Sequence, residues 1–180
     1  MNKLALAAVA ALALVCSPAV AQTVSVGAEM QTTKDQRGSV RMEVAKPMGP
    51  VLASLELRST LAKDGLRGKS ELVAGARYDS PIVLWGVTPF VKGELGVTTD
   101  SKNRNFWGAE VGAFGDLEGP YSWEAAYRFR DPSNDKDEDR YRATLFYSLT
   151  DDTKIGGSIM VWDEKNVSTT GVGVDITKKF

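Results

Sequence analysis

The sequence predicts an all-β protein, an up-and-down antiparallel transmembrane β-barrel of about ten strands. Three observations predict it. From residue 22 onward, short runs alternate apolar and polar side chains with a period of two, and turn residues separate them. Within the bodies of those runs one face carries no Asp, Glu, Lys or Arg, whereas the other carries many. The aromatic residues of the uncharged face gather towards the ends of the runs. A charge that faces hydrocarbon near the membrane midplane costs about 2–4 kcal/mol, which enforces such segregation, and amphipathic aromatics settle at the two interfaces.

The first 21 residues read differently. Met1, Asn2 and Lys3 form a short basic start, residues 4–15 are apolar, Pro18 breaks the run, and Ala19-Val20-Ala21 is a small-x-small cleavage pattern. A signal peptide is therefore expected over 1–21, cut after Ala21, with the barrel over 22–180. The apolar run is too short to span a bilayer. Cys16 is the only cysteine, and Val15 stands where a lipoprotein signal would carry a small residue. Residues 22–180 then hold no cysteine and no histidine, so no disulfide framework is expected. Without Lys3 the 22 basic residues become 21 against 23 acidic, a net charge of −2, which argues against nucleic acid as a partner.

The runs follow in order. Val24, Val26, Ala28 and Met30 oppose Ser25, Gly27, Glu29 and Gln31, up to the polar turn 34–38. Val40, Met42 and Val44 oppose Arg41 and Glu43, up to a tight turn at 47–50. Val51, Ala53, Leu55, Leu57 and Leu61 oppose Ser54, Glu56, Arg58 and Thr60; after the turn 63–68, Leu72, Ala74, Ala76 and Tyr78 oppose Glu71, Val73 and Arg77. The stretch from Tyr78 to Val91 blurs the start of the fifth strand, because Pro81 and Pro89 lack the N–H a ladder needs. There Val87, Val91, Leu95 and Val97 oppose Phe90, Lys92 and Glu94. Beyond the loop 100–104, Trp107, Ala109, Val111 and Ala113 oppose Gly108, Glu110 and Gly112. Beyond 116–120, Tyr121, Trp123, Ala125, Tyr127 and Phe129 oppose Glu124, Arg128 and Arg130. The acidic loop 131–139 precedes Tyr141, Ala143, Leu145, Tyr147 and Leu149, which oppose Arg140, Arg142 and Thr144. Ile155, Gly157, Ile159 and Val161 make the ninth run; Val172, Val174, Ile176 and Phe180 make the tenth. Runs of about ten residues cross a bilayer at a barrel's tilt, and an even number returns the chain to its starting side.

With a periplasmic start, Tyr78, Tyr121, Trp123, Tyr147 and Phe180 fall near one interface and Trp107, Phe129 and Tyr141 near the other, with Tyr127 a further candidate interface aromatic. The last run, 171–180, resembles the closing strand of bacterial outer-membrane β-barrels, which end in Phe after alternating apolar positions. That resemblance implies an outer-membrane location, contact with the lipid bilayer and lipopolysaccharide, and recognition of the strand ending in Phe180 by the assembly machinery. The alternative that alternation leaves open is a soluble barrel or sandwich with the apolar face inside.

No cofactor or metal is expected, because without His and Cys the common zinc and copper ligands are missing. The Ser-His and Asp-His arrangements of outer-membrane phospholipases and omptin proteases are missing too, so no enzyme is expected. The most pointed feature is a basic ladder: Arg128 and Arg130 end one strand, Arg140 and Arg142 begin the next, and all four take the inward parity. With Lys92, Glu94, Glu110 and Glu124 they are the candidate pore-lining and ligand residues. Arginine rings favour anions in pores. The alternative is a salt-bridged plug in which Glu94, Glu110, Glu124 and the acidic loop neutralise the arginines. Tyr127-Arg128-Phe129-Arg130 and Asp139-Arg140-Tyr141-Arg142 resemble the arginine-lined strands of oligogalacturonate-specific porins, barrels with more strands. That resemblance implies a narrow, passive, porin-like channel for small anionic solutes; a non-conducting structural or surface-interaction barrel is the other reading. The loop 131–139 lacks the glycine and final Glu of an EF-hand loop, so a solvated surface loop is expected there.

Overall fold

A computed structural model describes residues 22–31, 38–61, 69–98, 104–132, 138–164 and 167–180. The expected signal segment with its cleavage point and Cys16, and most of the loops at 34–38, 63–68, 100–104 and 131–139, lie outside them. Ten strands follow one another: β1 Thr23–Gln31, β2 Gly38–Met48, β3 Val51–Leu61, β4 Ser70–Asp79, β5 Val87–Thr98, β6 Asn105–Asp116, β7 Tyr121–Pro132, β8 Glu138–Ser148, β9 Thr153–Glu164 and β10 Val167–Lys179. Each pairs antiparallel with its sequence neighbours, and β1 pairs with β10 from Thr23↔Lys179 to Gln31↔Gly171, so the sheet closes into a barrel. Gln22 N–H donates to the Phe180 carbonyl at 3.2 Å and Phe180 N–H to the Gln22 carbonyl at 2.8 Å, which completes the seam. Closure leaves no strand edge unpaired. Both Gln22 and Phe180 lie at one end, the terminal end; the opposite end is the loop end.

One local feature differs from the expected boundaries, and the blurred start of the fifth strand resolves at Val87. The turn at 47–50 tightens to Gly49 and Pro50, because Pro47 and Met48 stay in β2 opposite Leu52 and Val51. Gly49 supplies the positive φ of 64° that the reversal needs. Pro89 lies inside β5 opposite Ala113, where its carbonyl accepts the Ser80 N–H at 2.9 Å.

The alternating parity becomes two faces. Val26, Leu95, Val111, Leu145, Ile159 and Val174 point outward and are exposed, while the acidic and basic residues of opposite parity, such as Glu56, Glu94, Glu110 and Arg128, are buried in the interior. Among the described strand residues, outward charges occur only at the rims: Lys46 and Lys178 at the terminal end, Asp131, Asp139 and Asp163 at the loop end.

The interior also holds apolar bulk. Phe90 faces Gly112, Phe106 faces Gly96, and Phe146 faces Gly156 as direct partners on neighbouring strands. A Cβ at Gly112 would lie 2.6 Å from the Phe90 ring, and one at Gly156 2.7 Å from Phe146, so glycine is what lets each ring lie flat against the wall. Trp162 and Met160 lie over Gly171 and Gly173 in the same way. Packed rings and glycines narrow the bore and leave the charged side chains a small shared space.

Candidate functional site

The site grows out of the β7–β8 hairpin. Its register sets Arg130 opposite Glu138, Arg128 opposite Arg140, and Arg142 opposite Ala126. All four arginines point inward, but only Arg128 and Arg140 are direct partners, so the expected stack of four is staggered, with acidic Glu138 at one end and Glu124 two residues beyond Ala126. Two like charges directly opposed repel unless anions reach them.

The anions come from other strands. Glu94 on β5 accepts from Arg130 Nε and Nη2, both at 3.1 Å, and lies 3.7 Å from Arg128. Glu71 on β4 accepts from Arg130 Nη1 at 2.9 Å. Glu138 meets Arg128 at 3.3 Å. Glu110 lies 3.5 Å from Arg142 and 3.7 Å from Arg140. Glu124 accepts from Arg142 at 2.6 Å and from Arg77 on β4 at 2.7 Å. Lys92 crosses to Glu43 on β2 at 3.1 Å. The aromatic lining supports two of these cations: Arg77 lies 3.7 Å from the centre of the Phe90 ring and Arg130 lies 4.1 Å from that of Phe106.

The remaining partners come from β1, β2, β3 and β10. Glu29 Oε1 lies 3.7 Å from Arg140 Nη1 and 3.9 Å from both Arg41 Nε and Arg58 Nη2. Arg41 is held by Asp175 at 2.7 Å, and Arg58 by Glu56 at 3.0 Å. Glu29, Arg41, Glu56, Arg58, Glu71, Arg77 and Asp175 were not among the candidate residues. Their inward parity was readable; what joins them to the arginines is the closure of the ring.

The network is uneven. Arg130, Arg142, Arg77 and Arg41 each donate a hydrogen bond to a carboxylate within 3.0 Å, and Arg58 lies 3.0 Å from Glu56 without one, whereas the closest approaches to Arg128 and Arg140 are 3.3 Å and 3.7 Å. Both are only 2% exposed. Arg128 Nε and Arg140 Nε and Nη1 have no hydrogen-bond acceptor among the described residues, and neither do Arg142 Nε nor Arg58 Nε and Nη2, so what sets Arg128 and Arg140 apart is the distance to their carboxylates. A buried donor left unsatisfied costs about 1–3 kcal/mol. A cavity of about 330 Å³ reaches these two arginines from the terminal end, where Thr23, Asp116 and Thr177 line it. No cluster of His, Cys, Asp and Glu suited to a metal ion occurs among the described residues.

The candidate interface aromatics lie on the outward face. Tyr121 and Tyr147 pair at 5.4 Å near the terminal end, with Trp123 two residues on in β7, and Tyr78 is exposed at the same end on β4. Trp107 and Phe129 pair at 5.5 Å, and Tyr127 and Tyr141 at 5.0 Å, towards the loop end. There Trp107 Nε1 donates to Asp131 at 3.0 Å and the Tyr127 hydroxyl to Asp139 at 2.7 Å. Phe180 is exposed at the terminal rim, with Lys178 Nζ 5.3 Å from its ring centre.

No protein-family model matches the chain, and no curated protein matches it. Among solved structures it is similar to the NanC porin, with a TM-score of 0.54 and 11% identity, over 87% of this chain and 100% of that one. It is similar to the KdgM porin in complex with disordered oligogalacturonate, with a TM-score of 0.54 and 11% identity over 88% and 99% of the two chains. A second KdgM porin structure gives a TM-score of 0.52 and 9% identity over the same shares. At these identities the likeness is one of fold: the chain shares the closed antiparallel β-barrel of these porins.

Proposed function

We propose that the protein is an outer-membrane barrel acting as a narrow, passive, porin-like channel for small anionic solutes. Its role is transport without catalysis, since its buried carboxylates serve as counter-ions to arginines. The outward apolar belt supports the membrane: exposed to water it would be costly, and in hydrocarbon it is the favourable face. The observation that carries the channel is the loose hold on Arg128 and Arg140 at the inner end of the cavity. A small carboxylate or phosphate entering from the terminal end meets guanidinium donors that lack an acceptor, while the tighter pairs around them fix the wall. A structure of similar fold holds oligogalacturonate, itself a polyanion.

A second reading rests on a specific observation. Arg128 and Arg140 are 2% exposed, the burial of a sealed layer, which supports a non-conducting structural barrel. Planar-bilayer recording separates the two. The channel gives unitary current steps whose reversal potential in a salt gradient reports anion preference, and Arg128→Ala with Arg140→Ala removes that preference. Absence of current from folded, inserted protein leaves the structural barrel.

A further inference from the structure

The turn between β4 and β5 carries an apolar surface that neither the sheet nor the lumen uses. Residues 81–87 hold no charged side chain. Ile82, Val83 and Leu84 are each more than half exposed, and Trp85 is 100% exposed. This turn is nevertheless well built. Leu84 and Val87 exchange both backbone hydrogen bonds at 2.9 Å, and the Ile82 N–H donates to Ser80 Oγ at 3.0 Å. Trp85 and Gly86 form the tip with φ of 50° and 80°. Two positive φ values across such a bridge make the hairpin reversal that favours Asn or Gly at its first position. A bulky residue is a genuine outlier there. Strain at the tip and full exposure of the largest apolar side chain both disfavour Trp85 in an aqueous turn, and no contact among the described residues offsets them.

We infer that this hairpin is a membrane-interface anchor, with Trp85 seated in the headgroup region of the leaflet at the terminal end. Continuity selects that occupant. Val87 pairs with Gly115, Gly115 pairs with Trp123, and Trp123 pairs with Leu145, so the hairpin grows directly out of the outward apolar belt. The same end exposes other apolar side chains: Met48 at the close of β2, and Leu117 and Leu149 in turns. Tryptophan suits the boundary because its ring is apolar and its Nε1–H keeps a polar partner. The rigid bridge holds the ring at a fixed depth.

The inference rests on the outer-membrane reading, and one experiment tells their failures apart. Folded protein is mixed with phosphatidylcholine vesicles carrying bromine at either shallow or deep acyl positions, and flotation first establishes insertion. The fluorescence of Trp85 is taken as the difference between the unaltered chain and Trp85→Gly, a change that suits the left-handed backbone and keeps the hairpin. The expected difference spectrum is blue-shifted, and shallow bromine quenches it more than deep bromine or aqueous acrylamide. A chain that retains Trp85 alone, with Phe at 107, 123 and 162, repeats the measurement without subtraction. An inserted barrel whose Trp85 emits as in water and is quenched by acrylamide alone overturns the anchor, and leaves the tip open to a soluble partner. A protein that fails to float with the vesicles overturns the membrane reading and the anchor together.

Discussion

Arg128 and Arg140 are directly opposed across the β7–β8 ladder, and each is held less closely by carboxylates than the arginines around it. Their neighbour Arg130 has carboxylates at 2.9 and 3.1 Å. This contrast divides the network into a fixed wall and a loosely held pair.

The division predicts unequal costs. Removing one partner of a tight buried ion pair costs about 3–5 kcal/mol, so Arg130→Ala lowers stability by that order. Arg140→Ala costs about 1 kcal/mol, because the lost contacts are long and two unsatisfied donors go with the side chain. Urea unfolding in lipid vesicles measures both. Equal losses would remove the distinction.

Glu124 joins Arg142 to Arg77 on the cavity wall. Glu124→Gln removes one negative charge there and leaves both guanidiniums less neutralised. The reversal potential in a salt gradient is expected to move further towards the anion side. Movement towards the cation side would contradict the proposed path.

The ring-on-glycine contacts predict steric coupling. Gly156→Val places methyl groups against Phe146 and costs about 1–3 kcal/mol by overpacking. With Phe146→Ala in the same chain the combined loss is less than the sum of the two, because the deleted ring leaves room for the valine. A double-mutant cycle on unfolding midpoints checks this; strict additivity would mean that the ring moves aside in solution.

Much of the barrel is legible in the residues. Alternation from Val24 to Met30, or from Tyr141 to Leu149, fixes which side chains share a face, and the sheet keeps that parity throughout. Alternation does not give height, however. Arg128, Arg130, Arg140 and Arg142 share a parity, yet the stagger of one strand on the next puts Glu138 opposite Arg130 and Ala126 opposite Arg142. Nor does it give what meets across the bore: Glu29 and Arg140 are joined only by ring closure. The inward rings of Phe106, Phe114 and Phe146 were readable by parity, but charges dominate that face and hide them. Pro47 falls in the turn expected at 47–50, yet a strand end tolerates proline, and it stays in β2 opposite Leu52.

The outward face makes its own demand. Ile159, at the middle of β9, is 67% exposed on the apolar belt. Ile159→Arg is expected to lower stability in a bilayer by about 2–4 kcal/mol. Thr177→Arg, on the cavity wall, gives up the 3.0 Å hydroxyl hydrogen bond with Ser25 and is expected to cost about 1 kcal/mol. Urea titrations of vesicle-inserted protein compare them, and a reversed order would contradict the assignment of faces.

The assignment of faces is the central claim, and a nitroxide scan along β9 tests it most directly. Residues 22–180 contain no cysteine, so single cysteines can be placed and labelled at each position from 155 to 161. In vesicles, oxygen accessibility is expected to peak at 155, 157, 159 and 161 and to fall at 156, 158 and 160. A pattern of opposite phase, or a chain that stays soluble with no detergent or lipid and keeps the odd positions shielded, would contradict it.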